Sequence, residues 1–158
     1  MLSIPAKGRP FSLGLAVMLI QLFVATVMVL YTVSVHGAGL AVLSRFLRLE
    51  SRLEIRRHVP ALSVRSLGVT LMLVLALFAL HGIEIWSYAA FYLWQGAVKD
   101  LETAVYFSTI AYGAIGFGDV AINSSWRLVG AIEGVNGVLL LGWSTAFFVT
   151  VVTRLGGR

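Results

Sequence analysis

From Phe11 to about Tyr31 or His36 the chain runs for more than twenty residues without a charge. About 20 apolar residues are enough for a helix to cross the hydrocarbon core of a bilayer. Two further runs of this kind follow, Leu67 to about Trp94 and Leu128 to Thr153. Hydrophobic residues make up 59% of the 158 and charged residues 12%, about half the charged share of soluble globular proteins. Such a chain cannot cover a core with polar surface, so the bilayer is its solvent. The net charge of +5 then reads as membrane topology and not as a nucleic-acid footprint, because the arginines cluster in one loop. The length suits one domain. Cysteine is absent, which excludes disulfides, thiolate metal sites and cysteine catalysis. The first run is too long for the core of a signal peptide and has no clear cleavage site, so it is expected to be retained.

Residues 1–36 read as a short polar lead, with Lys7, Arg9 and two prolines, followed by the first transmembrane helix. His36-Gly37-Ala38-Gly39 is expected to weaken or end that helix, with His36 an interfacial residue without a role. Residues 37–66 change character, because Arg45, Arg48, Arg52 and Arg56 recur at helical spacing with Leu49, Leu53, Glu50 and Glu54 among them. Arginines repeated on a spanning helix would be a voltage sensor. Here Glu50, Glu54, Arg57 and His58 interrupt any apolar span before Pro60 stops it. The reading adopted is a basic amphipathic helix on an anionic leaflet, each basic residue adding about 1 kcal/mol of attraction. His58 is expected to be solvated.

The second run holds His81 and Glu84 at i, i+3, on roughly one face of the helix. Ionisable groups inside a span are costly and face protein or water. They form either a pH-sensitive pair or a satisfied pair that locks this helix to its neighbours. Trp86, Tyr88, Phe91, Tyr92 and Trp94 then read as an aromatic belt at the outer interface. Asp100 is a plausible N-cap for a short helix over 100–112, with Glu102 in its first turn suiting the dipole. That helix is too short to cross a bilayer. Next come Ala114-Ile115-Gly116-Phe117-Gly118-Asp119, two glycines flanking one aromatic. Glycine tolerates positive φ and lets a loop turn its carbonyls to one side. Non-helical backbone at membrane depth survives only where it is buried in protein or lines a wet cavity. Short helix, glycine loop and spanning helix in that order make a re-entrant ion filter. The third run carries Gly130, Gly134, Gly137 and Gly142, whose spacing permits close helix approach. Glu133 and Asn136 lie in its outer half. Asn136 lining a pore and Glu133 pairing with His81 are readings that stand beside simple helix–helix hydrogen bonding.

The loop resembles the pore loop of the potassium channel superfamily, whose filter reads T-V-G-Y-G-D or T-I-G-F-G-D. With Tyr106-Phe107-Ser108, Trp126-Arg127-Leu128 and Gly142-Trp143-Ser144-Thr145-Ala146, residues 67–155 are similar to small bacterial ion-channel proteins grouped with tandem-pore potassium channels. The resemblance implies an all-α integral membrane fold with a pore domain over 67–155. Its outer helix would span 67–97, its pore helix 100–112, its filter 113–119 and its inner helix 127–153. The N-terminal helix and the basic helix precede it. One filter per chain implies a homotetramer. Backbone carbonyls of Ala114, Ile115, Gly116 and Phe117 would replace water around a dehydrated potassium ion. Gly113, Gly118, Asp119 and Tyr106 would support the filter, with Tyr106 bonded to Asp119. The Ile115 and Phe117 side chains would wedge the strand against the pore helix. Gly137 and Gly142 would be hinge candidates. No cofactor is expected, and potassium is the permeant ligand.

The sequence departs from that pattern at three places. Ala114 stands at the family's innermost threonine, Gly113 replaces another threonine, and Ile110 stands where some members keep a buried acid. The alternatives to a potassium-selective channel are therefore a weakly selective or non-selective monovalent cation channel and a non-conducting regulatory assembly. No nucleophile–base–acid cluster or metalloprotease spacing supports an enzyme. Arg45, Arg48, Arg52, Arg56, Arg57 and Arg65 share one loop, whereas 97–126 holds only Lys99. The positive-inside rule puts that loop and the C-terminus in the cytoplasm and the filter's entrance outside, in the plasma (inner) membrane. A first run that crosses once puts the N-terminus outside, and a hairpin would reverse it.

Overall fold

The computed structural model describes residues 11–55, 64–120 and 122–156. Lys7, Arg9, Arg56, Arg57, His58 and Pro60 lie outside the described residues. The described residues form four α-helices, α1 (Phe11–Ile55), α2 (Val64–Trp94), α3 (Leu101–Tyr112) and α4 (Arg127–Gly156), the last preceded by a 3₁₀ turn at Ser124–Trp126. No strand occurs among the described residues. Three helices contain segments long and apolar enough to cross a membrane, Leu13–Arg48, Leu67–Trp94 and Ser124–Thr153. The protein is an all-helical, multi-pass membrane protein. The short α3 is held between α2 and α4, and α1 packs on α4 and α2.

The first helix does not end at His36–Gly39. It continues as one helix of 45 residues, about 68 Å at 1.5 Å per residue, which is longer than the roughly 30 Å hydrocarbon core. Gly39 is a contact and not a break: a Cβ there would stand 2.6 Å from Leu80 Cδ1. Gly37 likewise faces Trp143. Small residues let helices approach closely enough for packing to offset the entropy cost of glycine. The first part of the expected basic segment, through Ile55, is therefore a direct extension of the spanning helix.

Two apolar clusters fix the helix directions. One joins Ala25, Tyr88, Tyr92, Ala97 and Val129, with Phe107 and Trp126 packed against it. The other joins Leu40, Leu73, Leu77 and Leu80, with Phe147, Phe148 and Val151 against it. Along the sequence, α1 and α4 meet the clusters in the same order and α2 in the reverse order. So α1 runs parallel to α4 and antiparallel to α2, and it crosses once, not as a hairpin. Gln21 of α1 also accepts a hydrogen bond from the backbone N–H of Leu128 at 3.0 Å, covering one of the free donors that open α4. The aromatic belt divides: Trp86 and Trp94 are exposed, whereas Tyr88 and Tyr92 are fully buried. These tyrosines are core residues because α3 and α4 pack over the face of α2 that carries them.

Candidate functional site

Asp100 starts α3. It has extended backbone, and its carboxylate accepts from Thr103 N at 2.8 Å and from Thr103 Oγ1 at 2.9 Å. The N–H and hydroxyl of Thr103 hold this carboxyl below its ordinary value, as expected for an acid at a helix N-terminus. At the other end Gly113 N donates to Thr109 O, Ala114 N to Ala111 O, and Ile115 N and Gly116 N both to Ile110 O. The loop's donors thus turn back onto the last carbonyls of the helix, which otherwise lack partners. The carbonyls of Ala114 to Phe117 take none of these bonds.

Every second residue of the loop is left-handed. Ala114 has φ 52°, Gly116 56° and Gly118 76°, while Ile115 and Phe117 stay outside positive φ. Such alternation brings successive peptide groups to one side. Glycine adopts it freely, and Ala114 does so against a cost of roughly 1–2 kcal/mol. The Tyr106 hydroxyl donates to Asp119 Oδ2 at 2.8 Å, and this carboxylate pushes the tyrosine above its ordinary value. The Ile115 and Phe117 side chains do not wedge against α3 within this chain: both are exposed, Phe117 at 69%. Beside the loop lies an open hollow lined by Ile110, Ala111, Ala114, Ala131, Val135 and Leu139, among others.

The helix α4 is seated on α3 through its glycines. A Cβ on Gly130 would stand 3.0 Å from Phe107 Cζ, one on Gly134 3.0 Å from Ala111 O, and one on Gly137 2.1 Å from Tyr112 O. Gly137 therefore packs closely on α3, as the spacing of the α4 glycines allows. A Cβ on Gly142 would meet nothing within 4 Å. A Cβ on Gly113 would stand 3.3 Å from Ile115 Cδ1 and from Thr109 O, so the glycine makes room for the loop's own side chain.

Between the two apolar clusters lies a polar layer. The Tyr92 hydroxyl donates to Glu133 Oε2 at 2.6 Å, and Ser108 Oγ stands 2.5 Å from Glu133 Oε1. Glu133 does not pair with His81, since α3 stands on its side of α4 and supplies Ser108 instead. Asn136 does not line a pore. It is 3% exposed and donates from Nδ2 to Thr32 Oγ1 of α1 at 2.8 Å. His81 and Glu84 do share one face, with Nδ1 3.3 Å from Oε2, and three more residues join them. His36 Nδ1 stands 2.9 Å from Glu84 Oε1. The Tyr112 hydroxyl donates to Glu84 Oε2 and lies 2.8 Å from His81 Nδ1. Ser144 Oγ stands 2.9 Å from His81 Nε2 and 3.3 Å from His36 Nε2. His36 and Glu84 are 0% exposed.

Sequence reasoning missed His36, Tyr112, Ser144, Thr32 and Gln21. The available signal was spacing: Gln21, Ala25, Thr32, His36 and Leu40 fall at helical intervals along α1, the first four small or polar, and all are buried. Reading His36 as the end of a helix hid that stripe.

A family model described as ion channel matches residues 72–154, more than half of the chain, taking in α3, the loop, nearly all of α4 and most of α2. Neither a curated protein nor a solved structure matches. The matched family is one of membrane transport and not of enzymes. With a short helix, an alternating glycine loop and the glycines that seat α4 all inside the matched region, the chain belongs to the ion channel family.

Proposed function

We propose that this chain is the pore-forming subunit of a homotetrameric potassium-selective channel. Four copies of the loop surround one axis, and the carbonyls of Ala114, Ile115, Gly116 and Phe117 replace the hydration shell of potassium. The observation that carries this reading is the division of labour in the loop backbone: its N–H groups bond to the end of α3, and positive φ recurs at Ala114, Gly116 and Gly118. A loop so arranged keeps its acceptors for a cation. The Tyr106–Asp119 bond supports the outer part of the filter from behind. The exposed Val135, Val138 and Leu139 on α4 are surface that neighbouring copies and the inner vestibule would cover. Gly142, free of packing constraint, is a hinge candidate. The arginine end, with Arg45, Arg48, Arg52 and Arg56, faces the anionic cytoplasmic leaflet of the plasma membrane.

A second reading, a weakly selective cation channel, is favoured by Ala114 and Gly113. Without a threonine hydroxyl ring the innermost site has fewer fixed oxygens. Flux through liposomes holding the purified protein separates the two. Potassium and rubidium passing well ahead of sodium, with flux lost in Gly116→Ala, is the expected outcome. Equal flux of all three cations would establish the weakly selective reading, and flux unchanged in Gly116→Ala would remove the loop as the pathway. A tetramer without flux would leave a regulatory assembly.

A further inference from the structure

We propose that His36, His81 and Glu84 form a site for a divalent transition-metal ion of the zinc class, with the Tyr112 hydroxyl as fourth donor. This goes beyond the filter and does not depend on which cation the filter conducts. The donors come from three different helices, α1, α2 and α3, and the histidine and glutamate ligand atoms lie within 4.8 Å of one another. Neighbouring donors are 2.9 Å (His36 Nδ1 to Glu84 Oε1), 3.3 Å (His81 Nδ1 to Glu84 Oε2) and 2.8 Å (His81 Nδ1 to Tyr112 Oη) apart. Ligands at 2.0–2.1 Å in a tetrahedron stand about 3.3 Å from each other. These three spacings lie within about 0.5 Å of that separation. Two imidazoles and a carboxylate are a donor set that suits zinc.

The count of hydrogens supports a cation here. Six pairs of nitrogen or oxygen atoms lie at hydrogen-bond distance in the cluster of His36, His81, Glu84, Tyr112 and Ser144. Two neutral histidines, one serine and one tyrosine offer one polar hydrogen each, which is fewer than the contacts. With the histidine hydrogens on Nε2, facing Ser144, the shortage falls on the Glu84 side, where both Nδ1 atoms converge. An ion there would take the lone pairs of both Nδ1 atoms and of the carboxylate at once. Both Nε2–H groups would then donate to the two lone pairs of Ser144 Oγ. That is the usual support for a metal-bound histidine, whose other nitrogen donates to a fixed acceptor that sets the ring's orientation. The competing way to fill the shortage is an extra proton on the cluster.

Because Tyr112 immediately precedes Gly113 and Ser144 belongs to α4, occupancy would tie α1 and α2 to the base of the filter loop and to the inner helix. The test uses the full chain, purified in detergent without a polyhistidine tag, with Zn²⁺ for stoichiometry and Co²⁺ for its visible spectrum. About one ion per chain, a tetrahedral Co²⁺ spectrum and a raised thermal midpoint on adding Zn²⁺ are expected. Ser144→Ala, which leaves every ligand in place, should weaken binding by about tenfold or more. His36→Gln should abolish it, and Glu102→Gln, at the exposed start of α3, should leave it unchanged. Failure of the wild type to take up Zn²⁺ would mean that protons alone fill the cluster and would overturn the proposal. Equal binding by His36→Gln or Ser144→Ala would place the ion elsewhere and overturn it as well.

Discussion

Gly137 cannot carry a side chain where it stands. A methyl group there would meet the Tyr112 carbonyl at 2.1 Å, and backbone cannot swing aside as a flexible side chain can. Gly137→Ala should therefore force α4 away from α3 and cost about 1–3 kcal/mol, read as a lowered thermal midpoint in detergent. Gly142→Ala, with open space around it, should leave that midpoint within about 0.5 kcal/mol of the parent or raise it. Equal losses at the two positions would contradict the packing role of Gly137. Ala114 is the opposite case, a side chain held at φ 52°. Ala114→Gly should relieve the roughly 1–2 kcal/mol of strain, less about 0.5–1 kcal/mol for glycine's greater freedom in the unfolded chain, whereas threonine, branched at Cβ, fits that backbone poorly. The local backbone itself thus suits a small residue.

The short helix α3 is anchored at its start and its middle by groups that titrate or donate. At its start, the Asp100 carboxyl has a folded-state value lowered from 3.8, chiefly by the Thr103 N–H. A lowered acid contributes stability that is fully present above its unfolded value and is lost as pH falls through the folded one. Amide exchange at Thr103 and the following turn should therefore accelerate only at pH below about 3.8, and Asp100→Ala should show the fast exchange at neutral pH. Unchanged exchange in that variant would remove the cap from the account. In the middle of α3, Ser108 reaches Glu133 but also stands 2.9 Å from the Ile85 carbonyl, so its single hydrogen has a second acceptor. Tyr92 has Glu133 alone. Glu133→Ala should thus cost about 1–3 kcal/mol for the orphaned tyrosine hydroxyl, with a further loss for the cavity. In a Tyr92→Phe background the same substitution should cost measurably less, because the two residues share one interaction. Additive losses in thermal unfolding would mean that the bond contributes nothing to stability.

For the whole molecule, the parallel course of α1 and α4 sets the sidedness of the chain. The start of α1 and the segment around Lys99 lie at one end, and the start of α2 lies at the other. Because cysteine is absent, single cysteines can report this without background. Ser12→Cys and Lys99→Cys should label from the same side of sealed vesicles and Val64→Cys, at an exposed position, only from the opposite side. Ser12→Cys and Val64→Cys labelling together would contradict a single crossing by α1. The positive-inside rule assigns the Val64 side to the cytoplasm, and the same labelling in oriented vesicles tests that assignment.

How far the chain could be read before it folded depends on the range of the interactions concerned. The three spans, the short helix after Asp100 and the glycine loop follow from local chemistry: charge-free length, a capping acid and residues that accept positive φ. The sequence by itself determined these, because each rests on a few neighbouring residues and on the bilayer as solvent. Only the tertiary structure decided that His36 lies inside the protein, that Tyr88 and Tyr92 are core and not belt, and that Glu133 meets Tyr92 and Ser108 while His81 meets Tyr112 and Ser144. Those outcomes depend on which faces of four helices come together. In a chain this apolar, hydrophobic patterning marks no face, since lipid and protein interior are equally apolar. The polar partners and the glycines select the faces, and their pairings span up to 108 positions of sequence.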